Sequence, residues 1–347
     1  MAQALTLWAP NLLNSLRVKE AQEALEKISL PGLQTLLAKG DFFQSKPQSF
    51  HQQASYLFHQ TECLPIAATQ ASIELNSFDA SHFWISVDPV QMIPDRDTLV
   101  LIPGKSLQIT EDESKQLLTA FNEHFAEDGV QLVWANTHHW YLSIVQAVDL
   151  HTTELEKVSY QSVNPYYPTG NAAQYWRQLL NETQMLFYTH PVNEARREQG
   201  LPEINSVWVW GEGKIDFSKL NIRQDAAIWS DEPYLQGMAK LTQAQAMGFV
   251  PNYQAWLNQL EPLEDKAQSI TKHLVHLDQV AENLEYLQMS EWIELLEQLE
   301  TQWFAPLVQA LKEGSIDSLL LDLGQESRVH LKPSHLKRFW RFKKKLS

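Results

Sequence analysis

A predicted helix in the second half of the chain carries amide and guanidinium groups on one face. Pro191 suits the first turn of this helix, and Gly200 suits the position just after its end. Asn193, Arg196 and Arg197 are spaced three and four residues apart, so their side chains share a face. A pair of arginines beside an amide can bind the oxygens of a phosphate or carboxylate.

A glycine turn follows the helix and would complete an anion site. Ile204–Trp210 is a strongly apolar strand candidate, and Gly211, Gly213 and Lys214 lie in the turn at its carboxyl end. In an open α/β sheet, ligands bind at that end of the strands, and backbone N–H groups in such turns bind anions. The alternative is structural, namely a capped helix that leads into a buried strand and carries solvated arginines.

Other residues that could do chemistry lack a supporting pattern. His273, His276 and Asp278 are possible metal ligands, but His273 and His276 would face opposite sides of a strand. The adjacent pair His138 and His139 has the same difficulty. No zinc-site, calcium-loop or nucleophile-elbow motif is present, and the single cysteine has no nucleophile signature.

Composition excludes several classes of protein. The formal net charge of −15 argues against a general nucleic-acid binder, because phosphate backbones favour cationic proteins. No apolar run is long enough to span a membrane, and the first residues lack a signal peptide pattern. One cysteine among 347 residues excludes a disulfide framework. We therefore expect a cytoplasmic protein without a transmembrane segment.

Strand and helix candidates alternate over most of the chain. This order predicts the α/β class, with a doubly wound, mostly parallel sheet formed by residues 1–80 and 150–347. Residues 81–149 show a different order of predicted strands and helices. A hairpin that begins at Phe83, a helix opened by a capping box at Thr110 and two further strands predict an inserted α+β subdomain.

The last residues, 332–347, form a basic and aromatic tail. Seven Lys or Arg residues between Lys332 and Lys345 surround Phe339, Trp340 and Phe342. Such a segment can dock on an acidic protein, an anionic membrane surface or RNA. The alternative is a terminal helix that folds back on the acidic surface of its own chain and buries its aromatic side chains.

The most specific family pattern lies in and after the predicted helix. It comprises His190-Pro191-Val192-Asn193, Arg196, Gly200, Asn205 and Trp208-x-Trp210-Gly211-x-Gly213-Lys214. In these residues the chain resembles a small proteobacterial group, the RpfE-type regulatory proteins. That group is related to the cofactor-independent phosphoglycerate mutases of the alkaline-phosphatase superfamily. The resemblance runs nearly end to end and implies that fold.

The chain departs from the enzymes of that family where they bind metal. They carry Asp-Gly after the first strand, where this chain has Trp8 and Ala9. They carry Asp-x-x-Gly-His after a late strand, whereas the residues after Asp278 include neither the glycine nor the histidine. They carry Asp-His after the last core strand, where Asp322 precedes Leu323. For the nucleophile, only Thr69 is a loose counterpart.

The resemblance therefore implies the scaffold without its chemistry. The enzymes of the family use two divalent metals, such as Mn or Zn, and we expect no cofactor here. We expect a pseudoenzyme with a regulatory or binding role, without catalytic residues, that binds a phosphorylated small molecule or a protein partner. The residues expected to bind it are Asn193, Arg196, Asn205, Gly211, Gly213 and Lys214. The alternative is an active phosphotransferase or phosphatase whose relocated metal ligands include His276, Asp278 and Asp322.

Overall fold

The structure is a computed structural model that describes residues 3–13, 19–43, 48–264, 270–278, 280, 288–324 and 328–342. The chain divides into two compact units. Unit 1 contains Met1–Cys63 and Lys219–Ser347, and unit 2 contains Leu64–Ser218. Within the described ranges, no helix combines the length and the apolar character needed to cross a membrane.

The secondary structure alternates between short strands and helices. In chain order, the strands of the described ranges are β1 (Ala4–Trp8), β2 (Asp41–Phe42), β3 (Phe83–Asp95), β4 (Thr98–Pro103), β5 (Leu132–Trp134), β6 (Trp140–Ile144), β7 (Ser206–Gly213), β8 (Ala226–Trp229), β9 (Gln245–Met247), β10 (Lys272–His276), β11 (Ser318–Asp322) and β12 (Arg328–Leu331). The helices are α1 (Lys19–Leu25), α2 (Pro31–Lys39), α3 (Phe50–Leu57), α4 (Ile66–Glu74), α5 (Glu111–His124), α6 (Leu155–Val158), α7 (Ala173–Tyr188), α8 (Pro191–Gln199), α9 (Pro233–Leu241), α10 (Tyr253–Glu264), α11 (Met289–Leu299) and α12 (Ala305–Glu313).

Unit 1 is built on a mostly parallel sheet of seven strands in the order β2-β12-β11-β1-β10-β8-β9. The five strands from β11 to β9 in this order run parallel to one another. Strand β12 runs antiparallel to β11, and β2 runs antiparallel to β12. Leu5 and Leu7 of the central strand β1 belong to an extensive apolar core. Because the five strands are parallel, their carboxyl ends lie along one edge of the sheet.

A π-helical turn, Glu300–Phe304, joins α11 to α12 and ties them to α2. The buried carboxylate of Glu300 accepts the backbone N–H groups of Gly32 at 2.6 Å and Leu33 at 3.0 Å. These groups lie at the start of α2, where the helix dipole favours an anion. A side chain at Gly32 would meet the backbone of Ala305 at 2.6 Å, so only glycine permits this close approach.

Unit 2 contains a five-stranded antiparallel sheet organised by the long strand β3. The first part of β3 lies between β6 and β7, and its last part pairs with β4. On one face of this sheet lies a core to which α5 and α7 contribute Leu117, Phe121, Trp176 and Leu180. The outer strand β5 pairs with β6.

The structure confirms the predicted fold class, because the fold is mixed α/β and its main sheet is mostly parallel. Unit 2 extends beyond the predicted insertion of residues 81–149 at both ends. The physical reason at the later end is that β7 pairs antiparallel with β3, which places β7 in the second sheet and the preceding helices α7 and α8 in unit 2. Gly211 and Gly213, which the sequence predicts in a turn, instead form the end of β7, and β7 is not a strand of the parallel sheet.

Candidate functional site

The carboxyl edge of the parallel sheet in unit 1 is the place where this fold presents ligands. The strand ends there bring Trp8, His276 and Asp322 into register, with Trp8 of β1 between the other two. Ser230 follows the end of β8, and Asp278 follows β10. All five side chains are largely or completely buried. The edge thus holds a histidine and two carboxylates, separated by an indole ring.

Both carboxylate oxygens of Asp278 accept hydrogen bonds from neighbouring groups on this edge. The hydroxyl of Ser230 donates to Oδ1 at 2.6 Å, and the backbone N–H of Asp231 donates to Oδ2 at 2.6 Å. Nδ1 of His276 also contacts Oδ1. Burial opposes ionisation of Asp278, but the hydrogen bond and charge of His276, helped by Ser230, hold its pKa below the ordinary value. Nε2 of His276 is buried and has no hydrogen-bond partner.

Asp322 is paired with a cation from its own chain. Nε of Arg328, on the neighbouring strand β12, donates to Oδ2 at 2.8 Å, and the side-chain amide of Gln53 donates to the same oxygen at 2.8 Å. The backbone N–H of Gly324 lies 3.3 Å from Oδ1. Burial raises the pKa of Asp322, and the guanidinium of Arg328 opposes that rise. Both members of the pair are nearly inaccessible, at 1% and 3% exposure.

Trp8 places an aromatic ring in the middle of the edge. Its ring stacks on Phe50 of α3 with centroids 4.8 Å apart, and it lies 4.8 Å from the ring of His276. The side chain is 1% exposed. An indole has one N–H donor and no lone pair suited to a metal. The end of the central strand therefore contributes packing to this edge.

These residues do not fit the pair of divalent metals that the family resemblance implies. The guanidinium of Arg328 already neutralises Asp322. Across the described ranges, no three His, Cys, Asp or Glu side chains are grouped so as to hold a metal ion. Residues 279, 281 and 282 of the block after Asp278 lie outside the described residues.

Thr69, the loose counterpart of the family nucleophile, lies in unit 2. It is completely buried within α4, and its hydroxyl donates to the backbone carbonyl of Pro65 at 2.7 Å. A threonine that bonds back to the preceding turn of its own helix is satisfied there. The position supplies no exposed hydroxyl for attack on a phosphoryl group.

In the predicted anion site, Arg196 and Asn193 are both buried and serve as structural ties. Arg196 is 1% exposed, and its guanidinium donates to both carboxylate oxygens of Glu113 at 2.9 Å and to the backbone carbonyls of Pro202 and Leu107. The amide of Asn193 bonds to the backbone of Phe187 and to both backbone groups of Ile204. These contacts are structural, but Arg196 is buried and paired rather than solvated as the structural alternative expected.

The other predicted residues do not gather around a common point. Asn205 bonds both backbone groups of Met92 and so fixes the edge of the β3–β7 ladder. Gly211 and Gly213 have φ values of +68° and +156°. A side chain would meet Ile66 at 3.0 Å or Pro65 at 2.6 Å, so both glycines permit close packing against the start of α4. The side chain of Lys214 is exposed.

A second polar cluster, which sequence reasoning did not assemble, lies inside unit 2. The carboxylate of Glu74 at the end of α4 accepts hydrogen bonds from Tyr141 at 2.5 Å and Asn136 at 3.0 Å, and lies 3.4 Å from Nδ1 of His139. Asp88 of β3 is 2% exposed. Its Oδ2 accepts the indole N–H of Trp210 at 2.8 Å, whereas its buried Oδ1 has no hydrogen-bond partner.

The ionisable groups of this cluster are strongly perturbed. Burial raises the pKa of Asp88 to about 6, against the opposing effects of His139 and Trp210. Burial alone would lower the pKa of His139, but the charge of Asp88 and the contacts of Glu74 raise it to about 9. Burial works against Glu74 as well, yet His139, Tyr141 and Asn136 hold its pKa below the ordinary value. At neutral pH the cluster contains a cation between two carboxylates.

Only part of these two clusters could be predicted from the sequence. The carboxylate of Asp88 interrupts an apolar strand, which is a sign of a buried polar group. The adjacent histidines were rejected as metal ligands, and His139 indeed pairs with a carboxylate, Glu74. Arg328 had no local signal, because its role depends on the long-range pairing of β12 with β11.

The chain is similar to phosphoglycerate mutases over part of its length. No family model matches it. It is 28% identical over 160 residues to a probable 2,3-bisphosphoglycerate-independent phosphoglycerate mutase of Geobacter sulfurreducens, covering 43% of this chain and 37% of that protein. It is 23% identical over 126 residues to a 2,3-bisphosphoglycerate-independent phosphoglycerate mutase of Methanosarcina mazei, covering 35% and 32%. The aligned part spans about a third of each of these relatives.

Two solved structures resemble the chain over nearly its whole length. The PH0037 protein of Pyrococcus horikoshii has a TM-score of 0.59 at 14% identity and matches 95% of this chain and 84% of its own. The cofactor-independent phosphoglycerate mutase of Thermoplasma acidophilum has a TM-score of 0.50 at 13% identity and matches 95% and 90%. The chain is thus a distant homologue of the cofactor-independent phosphoglycerate mutases and has a fold similar to theirs.

Proposed function

We propose that this chain is a non-catalytic relative of the cofactor-independent phosphoglycerate mutases, with a binding or regulatory role. One observation carries the proposal, namely the buried pair of Asp322 and Arg328 beside Trp8 at the carboxyl edge of the parallel sheet. A guanidinium that donates to a carboxylate at 2.8 Å competes directly with a metal ion for that carboxylate. Kinship with the RpfE-type regulatory proteins is part of the same proposal.

The donor chemistry of the remaining positions supports this reading. Trp8 and Leu323 offer no side-chain oxygen or imidazole nitrogen for a hard divalent cation. Asp278 has its carboxylate engaged by Ser230, Asp231 and His276. An active phosphotransferase with relocated ligands would need Asp322 to exchange Arg328 for a metal and would leave a buried guanidinium unpaired. We therefore favour binding over turnover.

A phosphorylated ligand at the glycines that end β7 finds little support in the geometry. Arg196 would have to leave Glu113 and two backbone carbonyls in order to reach it. Lys214 alone remains exposed there. We infer that a partner or ligand of this protein binds elsewhere, and that Arg196, Asn193 and Asn205 hold the fold of unit 2.

Metal content and activity on a phosphate ester test the proposal together. Purified protein is dialysed against Mn²⁺ and, separately, against Zn²⁺, then assayed for bound metal, for p-nitrophenyl phosphate hydrolysis and for phosphoglycerate mutase activity. We expect substoichiometric metal and no turnover above buffer. The matched variants Asp278→Asn and Asp322→Asn should leave both results unchanged. Stoichiometric metal with activity that either variant abolishes would overturn the proposal.

A further inference from the structure

Three aromatic side chains stand exposed near the carboxyl end of unit 1. Phe339, Trp340 and Phe342 are 81%, 62% and 85% exposed, which is unusual for such large apolar groups. The rings of Phe339 and Trp340 meet edge to face at 5.2 Å. The predicted alternative, in which the tail folds back and buries these rings, is therefore wrong for the rings. Residues 343–347 of the tail lie outside the described residues.

The backbone that carries these rings is nevertheless held firmly by its own chain. Arg338 forms a two-pronged ion pair with Asp41 of β2, and Arg341 lies 3.1 Å from the same carboxylate. Nζ of Lys39 donates to the backbone carbonyls of Arg338 and Arg341. The hydrogen bond from Arg338 holds the pKa of Asp41 at about 2, so this anchor persists across the physiological pH range. The turn is fixed with its aromatic side chains pointing to solvent.

The apolar surface continues from this turn onto the edge of the sheet. Phe342 lines a shallow groove together with Leu37, Ala38 and Phe42, and Phe42 is itself 46% exposed. Among the described residues that line this groove, the one cation is Arg341, whose guanidinium already contacts Asp41. The described part of the groove therefore offers mainly hydrocarbon contact.

In the sequence, positively charged residues flank the exposed aromatic residues on both sides. Lys332 and Lys337 precede the aromatic residues and are exposed, and the sequence continues with Lys343, Lys344 and Lys345. The segment from Lys332 to Lys345 contains seven Lys or Arg residues and no acidic side chain, on a chain with a net charge of −15. An anionic surface would thus be attracted to this segment and repelled by much of the rest of the protein.

We propose that the turn Lys337–Phe342 docks this protein on an anionic lipid bilayer. Exposed Trp and Phe side chains beside lysines suit the headgroup region, where the rings enter the acyl boundary and the lysines meet anionic headgroups. A protein partner would have to provide a matching pocket for each of the three projecting rings. A bilayer can accept the rings without such pockets. The inference is independent of the proposal for the edge of the parallel sheet.

Flotation of the full-length protein with vesicles tests this inference. The vesicles contain either phosphatidylcholine alone or equal parts of phosphatidylcholine and phosphatidylglycerol. We expect binding to the anionic vesicles that falls with added salt. The triple variant Phe339→Ser, Trp340→Ser, Phe342→Ser should weaken binding at least about tenfold, because it removes all three inserting rings. The pair Lys332→Gln and Lys337→Gln should weaken it roughly fivefold per lysine.

Matched controls distinguish docking from nonspecific hydrophobic adsorption and from misfolding. Met185, Tyr188 and Phe217 of unit 2 are 74%, 63% and 57% exposed, and their replacement by serine should leave vesicle binding unchanged. Circular dichroism should show the same thermal unfolding for both triple variants. No binding to anionic vesicles, or equal binding to phosphatidylcholine alone, would overturn the inference. Binding to single-stranded RNA that depends on Trp340, without binding to vesicles, would also overturn it and assign the surface to nucleic acid.

Discussion

Asp322 in unit 1 and Asp88 in unit 2 are both buried carboxylates on strands, at 1% and 2% exposure, but they are compensated very differently. Asp322 has a guanidinium and an amide on one oxygen and a backbone N–H near the other. Asp88 has one indole N–H on one oxygen, and its other oxygen has no hydrogen-bond partner among the described residues. Arg328 opposes the rise that burial causes in the pKa of Asp322, whereas burial raises the pKa of Asp88 to about 6.

The difference shows what each region has been shaped to do. In the enzymes of the family that the sequence resembles, the end of the last core strand carries metal ligands. Here Arg328 of β12 pairs with the carboxylate of Asp322, so that carboxylate is already bound to a cation of its own chain. The cluster around Asp88 instead keeps a carboxyl group whose protonation changes near neutral pH, next to His139 and Glu74. Asp88 therefore changes its protonation at a pH of about 6, whereas Arg328 opposes protonation of Asp322.

The largest effect is expected from Arg328→Met. The variant leaves Asp322 buried without a countercharge, and breaking such a pair costs about 3–5 kcal/mol. Urea denaturation at neutral pH measures the loss in the free energy of unfolding. The double variant Arg328→Met with Asp322→Leu should recover most of that loss, because both charges are then absent. If Arg328→Met is as stable as the wild type, the ion pair does not hold the edge of the sheet.

Arg196→Ala comes next in size, and here the structure changes the expectation. The sequence predicted an arginine that binds a ligand. In the structure, the variant deprives Glu113 of its countercharge and two backbone carbonyls of their donor, which should cost about 2–4 kcal/mol. Lys214→Ala is the matched control and should change stability by less than about 0.5 kcal/mol. An unchanged stability for Arg196→Ala, with loss of phosphate binding, would restore the anion site.

Local signals in the sequence proved reliable, and long-range ones were absent. The capping box predicted at Thr110 is present, and Gly200 ends α8 in the left-handed conformation with a φ of +71°. The same Glu113 that closes the capping box also binds Arg196, 83 residues away. No spacing rule reports such a contact. The capping of a helix depends on four neighbouring residues, whereas the partner of a buried arginine depends on the whole topology.

The same limit explains the assignment of β7. Its apolar pattern predicts a buried strand but does not say which sheet receives it. Pairing with β3, more than a hundred residues earlier, placed it in unit 2. For Asp322 the sequence showed the loss of family ligands, but the compensating Arg328 became visible only through the register of β11 and β12. The departures from the family pattern were thus visible in the sequence, whereas the partner of Asp322 was not.

The smallest effect, and the sharpest test of the comparison, is expected from Asp88→Asn. The folded pKa of about 6 lies above the reference value of 3.8, so the folded state binds more protons than the unfolded state between these values. The contribution of Asp88 to the free energy of unfolding should therefore fall as pH rises from about 4 to about 6 and stay lower above that range. The full shift corresponds to at most about 3 kcal/mol.

Asparagine resembles the protonated form of Asp88 and should remove this dependence on pH, so that the variant is more stable than the wild type at pH 7. Glu74 from α4, His139 from the turn before β6 and Trp210 from β7 face the same site, and the charge of Glu156 also acts on it. Loss of the Asp88 charge should lower the pKa of His139, which NMR titration of the ring can measure. Urea denaturation over this range is the main measurement, with Asp322→Asn as the contrasting variant, because it breaks a compensated pair and should destabilise the protein. If Asp88→Asn lowers stability at pH 7, the charged form of Asp88 stabilises the fold, and the two carboxylates do not differ in how well their charge is compensated.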